Sequence, residues 1–279
     1  MKPFLKWAGN KYQIINRIRE QLPPGKRLIE PFAGSAAVFL NTDYPAYLLC
    51  DNNQDLINLY RYLQKDGPRF IEYCKTYFVP ENNNRERYYE LRQEFNMTEN
   101  RRKKAALFVY LNRHCYNGLC RYNSSGRFNT PFGRYRKPYF PEREMLFFWK
   151  KARRAVFLCL DFRESMAMAE PGDVVYCDPP YVPLSCTANF TSYSSEGFGP
   201  EEQRDLAREA ERLAARGIPV LLSNHDTEFT RTVYASAQII SFGVQRSISC
   251  DGRNRGRAAE VLALFKAGGA GLPQAGGLS

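Results

Sequence analysis

Short apolar runs alternate with longer amphipathic stretches along this chain. Residues 28–29, 47–50, 156–160, 174–177, 219–223, 239–244 and 260–265 are brief, apolar and rich in β-branched or aromatic residues, which predicts seven buried strands. Between them the apolar spacing changes to three and four. Ile14, Ile15 and Ile18 mark a helix over about 10–21, and Leu206, Ala210 and Leu213 mark another over about 200–216. Strands separated by helical crossovers predict an α/β, doubly wound, mixed seven-stranded sheet of Rossmann-like form. A block of helical pattern interrupts it. Leu56, Ile57, Leu59, Tyr60 and Leu63 share one face over 55–65, and further helices are expected over 68–78, 85–95 and 101–112. No strand is evident there, so the block reads as an insertion.

The strand ends carry the candidate chemistry. The run 174–177 meets Asp178, Pro179, Pro180 and Tyr181. Each proline fixes its own φ and extends the residue before it, so the backbone is stiff and its carbonyls point in set directions. A carboxylate and carbonyl acceptors around one point, beside a flat ring, suit a planar ring that bears an exocyclic NH2. Earlier, Phe32, Ala33 and Gly34 make a glycine turn after the first strand, and Asp51 closes the second. An acid about 20 positions beyond such a turn is placed for ribose hydroxyls. Upstream, Trp7 offers a stacking face, Gly9 a close approach of backbone, and Lys11 a charge at a helix start. The Gly-x-Lys triplet lacks the rest of a phosphate-binding loop, so nucleotide hydrolysis is rejected. Lone His225 reads as structural.

Charge adds a partner. The 279 residues carry a net charge of +11, which favours a polyanion. The charge is uneven: 105–141 holds no Asp or Glu, but does hold Arg113, Arg121, Arg127, Arg134, Arg136 and Lys137, interleaved with aromatics from Tyr116 to Phe140. Asn117-Gly118, 123–126 and 131–133 are turn-rich, so a basic, aromatic, hairpin-bearing module is expected. Arginine pairs with phosphates or guanine edges, and aromatics stack on or wedge between bases. The run 101–104 is read equally well as a solvated helix face. The loop 249–257, with Arg253, Arg255 and Arg257, is a second candidate for phosphates, and 185–195 reads as a mobile loop over the site.

The eight cysteines form no Cys-x-x-Cys pair and there are two histidines, so no metal site is expected and reduced thiols are. No run reaches membrane-span length, and the charged, aromatic start reads as folded rather than cleaved. The expectation is therefore a cytoplasmic protein without membrane or metal partners.

Taken together, Phe4-Leu5-Lys6-Trp7-Ala8-Gly9, Glu30-Pro31-Phe32-Ala33-Gly34-Ser35, the stretch from Tyr116 to Asn123, Pro131-Phe132-Gly133-Arg134-Tyr135, Asp178-Pro179-Pro180-Tyr181 and Ser223-Asn224-His225-Asp226-Thr227 resemble the Dam-type DNA adenine methyltransferases. The likeness runs from Phe4 to about Phe265, with the insertion between cofactor turn and catalytic turn as in the family's α arrangement. It implies a methyltransferase fold, S-adenosyl-L-methionine as cofactor, and methylation of the exocyclic amine of adenine in double-stranded GATC with base flipping. It implies cofactor binding by Trp7, Lys11, Phe32, Gly34, Asp51 and Asp178, catalysis by Asp178, Pro179 and Tyr181, and DNA binding by Lys6, Tyr116, Asn117, Leu119, Arg121, Pro131 and Tyr135. Asn10 and Ala36 stand where the family usually has glycine. The division expected is a catalytic domain, 1–54 and 142–267, a target-recognition domain, 55–141, and a disordered tail, 268–279, in a monomer of the bacterial nucleoid or a phage. Rival readings are methylation of a cytosine amine or of adenine in RNA, a DNA-binding module without catalysis, and a protein glutamine methyltransferase.

Overall fold

The computed structural model describes residues 1–181, 198–244 and 258–268. The expected loop 185–195, the arginines at 253, 255 and 257, and the tail from 269 onward lie outside the described residues. Among the described residues, seven strands form one mixed α/β sheet of order β3-β2-β1-β4-β5-β7-β6. They are β1 (Arg27–Glu30), β2 (Ala46–Asp51), β3 (Ala155–Cys159), β4 (Asp173–Cys177), β5 (Val220–His225), β6 (Gln238–Val244) and β7 (Ala258–Phe265). The chain divides into two compact units, Met1–Glu20 with Glu30–Asp161, and Gln21–Ile29 with Phe162–Ser279.

In the first unit, β2 and β3 pair in parallel. The 3-10 turn Lys11–Ile14 leads into α1 (Ile15–Gln21), and α2 (Ala37–Asn41) follows the glycine turn. Helix α3 (Gln54–Asp66) buries the predicted face, Leu56 to Leu63, and its first turn is capped by Asn53, whose side chain accepts from Leu56 N at 3.0 Å. Phe4, Phe39, Tyr60, Phe148 and Phe157 form one aromatic cluster, with centroids 4.8 Å apart for Tyr60–Phe148 and 5.3 Å for Phe4–Phe148. Such pairs contribute about 0.5–1.5 kcal/mol each beyond the area they bury. The insertion is helical as expected: α4 (Pro68–Lys75), α5 (Arg85–Met97) and α6 (Arg101–His114). From Ala105 onward α6 is buried all round. Helix α7 (Glu142–Ala152), which the sequence reading passed over, returns the chain to β3 and carries Phe148 into the aromatic cluster.

The expected hairpin takes a reduced form. Among the described residues, 115–133 contains no strand, only the isolated antiparallel bridges Cys115↔Phe132 and Tyr122↔Phe128. Its turn residues do turn: Asn117, Gly118 and Gly126 have positive φ. The arms between them are joined by scattered main-chain bonds, as from Asn129 N to Arg121 O and from Asn123 N to Arg127 O, and by side chains, as where the Asn96 amide pairs with Phe128 N and O.

In the second unit, β1, β4 and β5 run parallel, while β7 pairs antiparallel with both β5 and β6. All five residues of β4 are buried, which is what a central strand covered on both faces requires. Helices α8 (Phe162–Ala167), α9 (Pro200–Ala215) and α10 (Glu228–Val233) complete it. At the start of β1 and β4, Arg27 clamps buried Asp173 through two hydrogen bonds, 2.6 and 3.1 Å. Among the described residues, no helix is long and apolar enough to cross a membrane, no cluster fit to hold a metal ion is present, and six cysteines are free thiols.

Candidate active site

The turn after β1 is built around a missing side chain. Gly34 has φ +45°, and a Cβ there would lie 2.9 Å from Trp7 Nε1 and 3.1 Å from Trp7 Cδ1. The indole therefore lies directly against the turn. The turn is stitched to the end of β2: Ala33 N donates to Cys50 O at 2.8 Å, and Gly34 N to Asp51 Oδ2 at 3.0 Å. Asn53 N donates to the other oxygen, Oδ1, at 3.0 Å, and the Tyr60 hydroxyl donates to Gly34 O. Burial raises the Asp51 pKa above the usual carboxylate range, and the two backbone donors oppose that shift. Trp7, Gly34 and Asp51 thus share one corner. Phe32, half-buried, lies in the same turn. Lys11 is 6% exposed and donates to Gly9 O at 2.5 Å, so its ammonium turns in on the segment that carries Trp7. A ring face, a carboxylate that retains acceptor capacity, and a turn open where a side chain would intrude fit a nucleoside-bearing cofactor such as S-adenosylmethionine.

The two departures from glycine differ in kind. Asn10 sits at φ −51° and caps the following turn, accepting from Tyr12 N at 2.8 Å, so its backbone needs no glycine. Ala36 is left-handed, φ +59°, ψ +32°, and fully buried, a conformation that costs a residue with a Cβ about 1–2 kcal/mol.

In the second unit, the stiff notch after β4 is braced from three sides. Ser223 of β5 donates to Asp178 Oδ1 at 3.0 Å. Gln203 of α9 donates to Pro180 O at 2.7 Å and is itself held by Asn224 at 3.1 Å and the Tyr234 hydroxyl at 3.0 Å. Tyr181 donates to Glu260 Oε2 at 3.3 Å, and its ring meets His225 edge-on with centroids 4.7 Å apart. Burial first, and then the negative charge of Asp178, raise the Tyr181 phenol well above its ordinary value, so it stays protonated. Pro179 is buried and Asp178 half-buried. His225 therefore packs against the candidate ring, in keeping with a structural part. Gln203 and Glu260 were missed in the sequence reading. Gln203 had a signal: it falls in the apolar phase of α9, with Leu206, Ala207, Ala210 and Leu213. Glu260 had none; its place comes from the register His225↔Glu260.

The residues matched to DNA binding gather in the first unit. Lys6 Nζ sits 4.0 Å over the Tyr135 ring, and the Tyr135 hydroxyl accepts from Asn117 N at 3.0 Å. Gly118 lets Lys6 lie close, since a Cβ on it would be 2.3 Å from Lys6 Cβ. The buried Asn112 amide pairs with both Lys6 N and Lys6 O, at 2.9 and 2.7 Å. Tyr116 N donates to Pro131 O at 2.8 Å, Thr130 Oγ1 to Leu119 O at 2.8 Å, and Arg121 Nε to Asn129 Oδ1 at 2.8 Å. Tyr116, Asn117, Leu119, Arg121 and Pro131 are all exposed. Arg113 is different. It is buried, its guanidinium donates to Phe4 O, and burial lowers its pKa, so it is a strut rather than a phosphate contact. In the run 101–104, Arg102, Lys103 and Lys104 are paired with Asp66, Glu94 and Asp55.

A doubly wound sheet with an acid-proline notch after a buried strand and a glycine turn tied to a strand-end acid is the frame of an enzyme class, and residues 7–248 match the model of the D12 class N6 adenine-specific DNA methyltransferases; the chain belongs to that family. Its relatives carry the particular name DNA adenine methylase. The one from Serratia marcescens is 51% identical over 266 residues, covering 95% of this chain and 98% of the relative. That of Escherichia coli strain K12 is 51% identical, covering 96% of each chain, and that of Vibrio cholerae (strain ATCC 39541) is 50% identical, covering 95% and 96%. The chain is an adenine-specific DNA methyltransferase, as the resemblance implied.

Proposed function

We propose that this enzyme takes its methyl group from S-adenosyl-L-methionine and places it on the exocyclic amine of an adenine extruded from duplex GATC. The observation that carries the reading is the notch after β4, in which Asp178, Pro180 and Tyr181 are each fixed by a side chain from another element. Trp7, Lys11, Phe32, Gly34 and Asp51 would hold the cofactor, Asp51 by accepting from its hydroxyls, and the family resemblance adds Asp178 to that set. When bound, the cofactor supplies a methyl group already activated by its sulfonium.

The amine of adenine is a poor nucleophile because its lone pair is delocalised into the ring. Asp178 accepts one of its hydrogens and the Pro179 carbonyl the other. Those bonds localise the lone pair and aim it, and the carboxylate stabilises positive charge as it develops, most strongly in a dry site. The Tyr181 ring stacks on the base. Extrusion costs on the order of a few kcal/mol, which stacking offsets in part. Lys6, Tyr116, Asn117, Leu119, Arg121, Pro131 and Tyr135 engage the duplex, and Tyr116, exposed at the tip of its turn, fills the space the base leaves. Residues 55–141 form the recognition domain, and 1–54 with 142–267 the catalytic one. The enzyme works as a monomer in a bacterial cytoplasm.

The test is methyl transfer into short duplexes that differ by one base pair within GATC. Transfer confined to the GATC duplex, at adenine, is the result expected. Equal transfer into all of them, or methyl groups recovered on cytosine, refutes the assignment.

A further inference from the structure

We propose that Ser223 is a positioning residue for methyl transfer, locking the Asp178 carboxylate into one orientation through a single buried hydroxyl. The inference rests on the role given to Asp178 above and adds the device that fixes it.

The register Cys177↔Leu222 in the parallel pair β4–β5 sets the next positions, Asp178 and Ser223, opposite each other. Ser223 is fully buried. Its Oγ lies 3.0 Å from Asp178 Oδ1, 3.1 Å from the Tyr176 hydroxyl and 3.4 Å from Cys177 O. A serine hydroxyl has one proton and two acceptor positions. Carboxylate and carbonyl oxygens only accept, and the carboxylate is nearer as well as charged, so the proton goes to Asp178. The Tyr176 hydroxyl must then donate into Ser223. The direction of the chain is thereby set: Tyr176 to Ser223 to Asp178. One carboxylate oxygen is tethered, which fixes the rotation of the group and the line along which it meets an amine. Among the described residues, the ionisable groups around Asp178 include Cys177 beside it and Tyr181, with His225 and Glu260 against that ring.

The test compares Ser223→Ala and Tyr176→Phe with the unaltered enzyme in single-turnover methyl transfer across pH, with folding followed by circular dichroism. Misplacing a reacting group by a fraction of an ångström to one ångström costs up to about a hundredfold, so Ser223→Ala should lower kcat roughly 10- to 100-fold while KM for DNA and cofactor stays within about twofold. Removing a donor to the carboxylate disfavours its ionised form, so the acid limb of the profile should move to higher pH. Tyr176→Phe, which keeps the ring's bulk, should lose a few-fold and move the same limb, and should add nothing in a Ser223→Ala background. Unchanged kcat and pH profile in either folded variant overturns the proposal, as does a loss expressed wholly in KM. Asp178→Asn is run beside them. Activity in that variant sinks the reading of the site itself, whereas an inactive Asp178→Asn with a normal Ser223→Ala sinks only the role of Ser223.

Discussion

The notch after β4 and the loop cluster around Tyr116 are held in opposite ways. In the notch the tethers reach the proposed functional side chains and the main chain between them: Ser223 holds the Asp178 carboxylate, Gln203 the Pro180 carbonyl, Glu260 the Tyr181 hydroxyl. In the cluster most tethers grip the main chain, as from Tyr116 N to Pro131 O and from Thr130 to Leu119 O, while Tyr116, Leu119 and Arg121 stay exposed. The difference follows from the task. Moving a small group demands atoms fixed to a fraction of an ångström. Reading a duplex demands a backbone that presents side chains which then adjust to base edges.

Variants can break that contrast or sharpen it. Tyr181→Ala removes the stacking face and should lower kcat by about tenfold to a hundredfold, the worth of one base–aromatic stack, with duplex affinity little changed. Rapid-quench methyl transfer checks this; an equal loss of affinity would make the notch a binding element like the cluster. Arg121→Ala should do the reverse. It should weaken duplex binding by about 1–3 kcal/mol and relax preference at one base pair, with kcat near normal at saturating DNA. Titrations on matched and single-substituted duplexes decide it. The smallest effect is expected at Ala36→Gly, which relieves a left-handed alanine and should stabilise the fold by about 1 kcal/mol, read as a rise in Tm. A lower Tm would mean that the buried methyl contributes more than the backbone costs.

The same contrast explains what the sequence could and could not reveal. The apolar runs show because strands covered on both faces must be apolar, and Asp51 and Asp178 show because they interrupt such runs at their ends. The notch's prolines are legible for the same reason: they are local. Its braces are not. Ser223, Gln203 and Glu260 lie 45, 23 and 79 residues from their partners, and only the folded sheet and α9 bring them in. The module from Tyr116 to Pro131 misled in the other direction. Its Asn-Gly and Gly turns are real, but its arms lack the alternating apolar face that sustains a ladder, so two bridges form where strands were expected. Arg113 counted as a DNA contact by composition and is a buried strut by position.

The central claim is that Asp178 performs the chemistry while other residues bind. Asp178→Asn, assayed for labelled methyl incorporation into a GATC duplex and, in the same preparation, for duplex binding, tests it most directly. The account predicts incorporation reduced by at least about a thousandfold, at the scale of a lost charged group in a preorganised site, with duplex affinity within a few-fold of normal. Incorporation close to that of the unaltered enzyme, or its loss together with DNA binding, would contradict it.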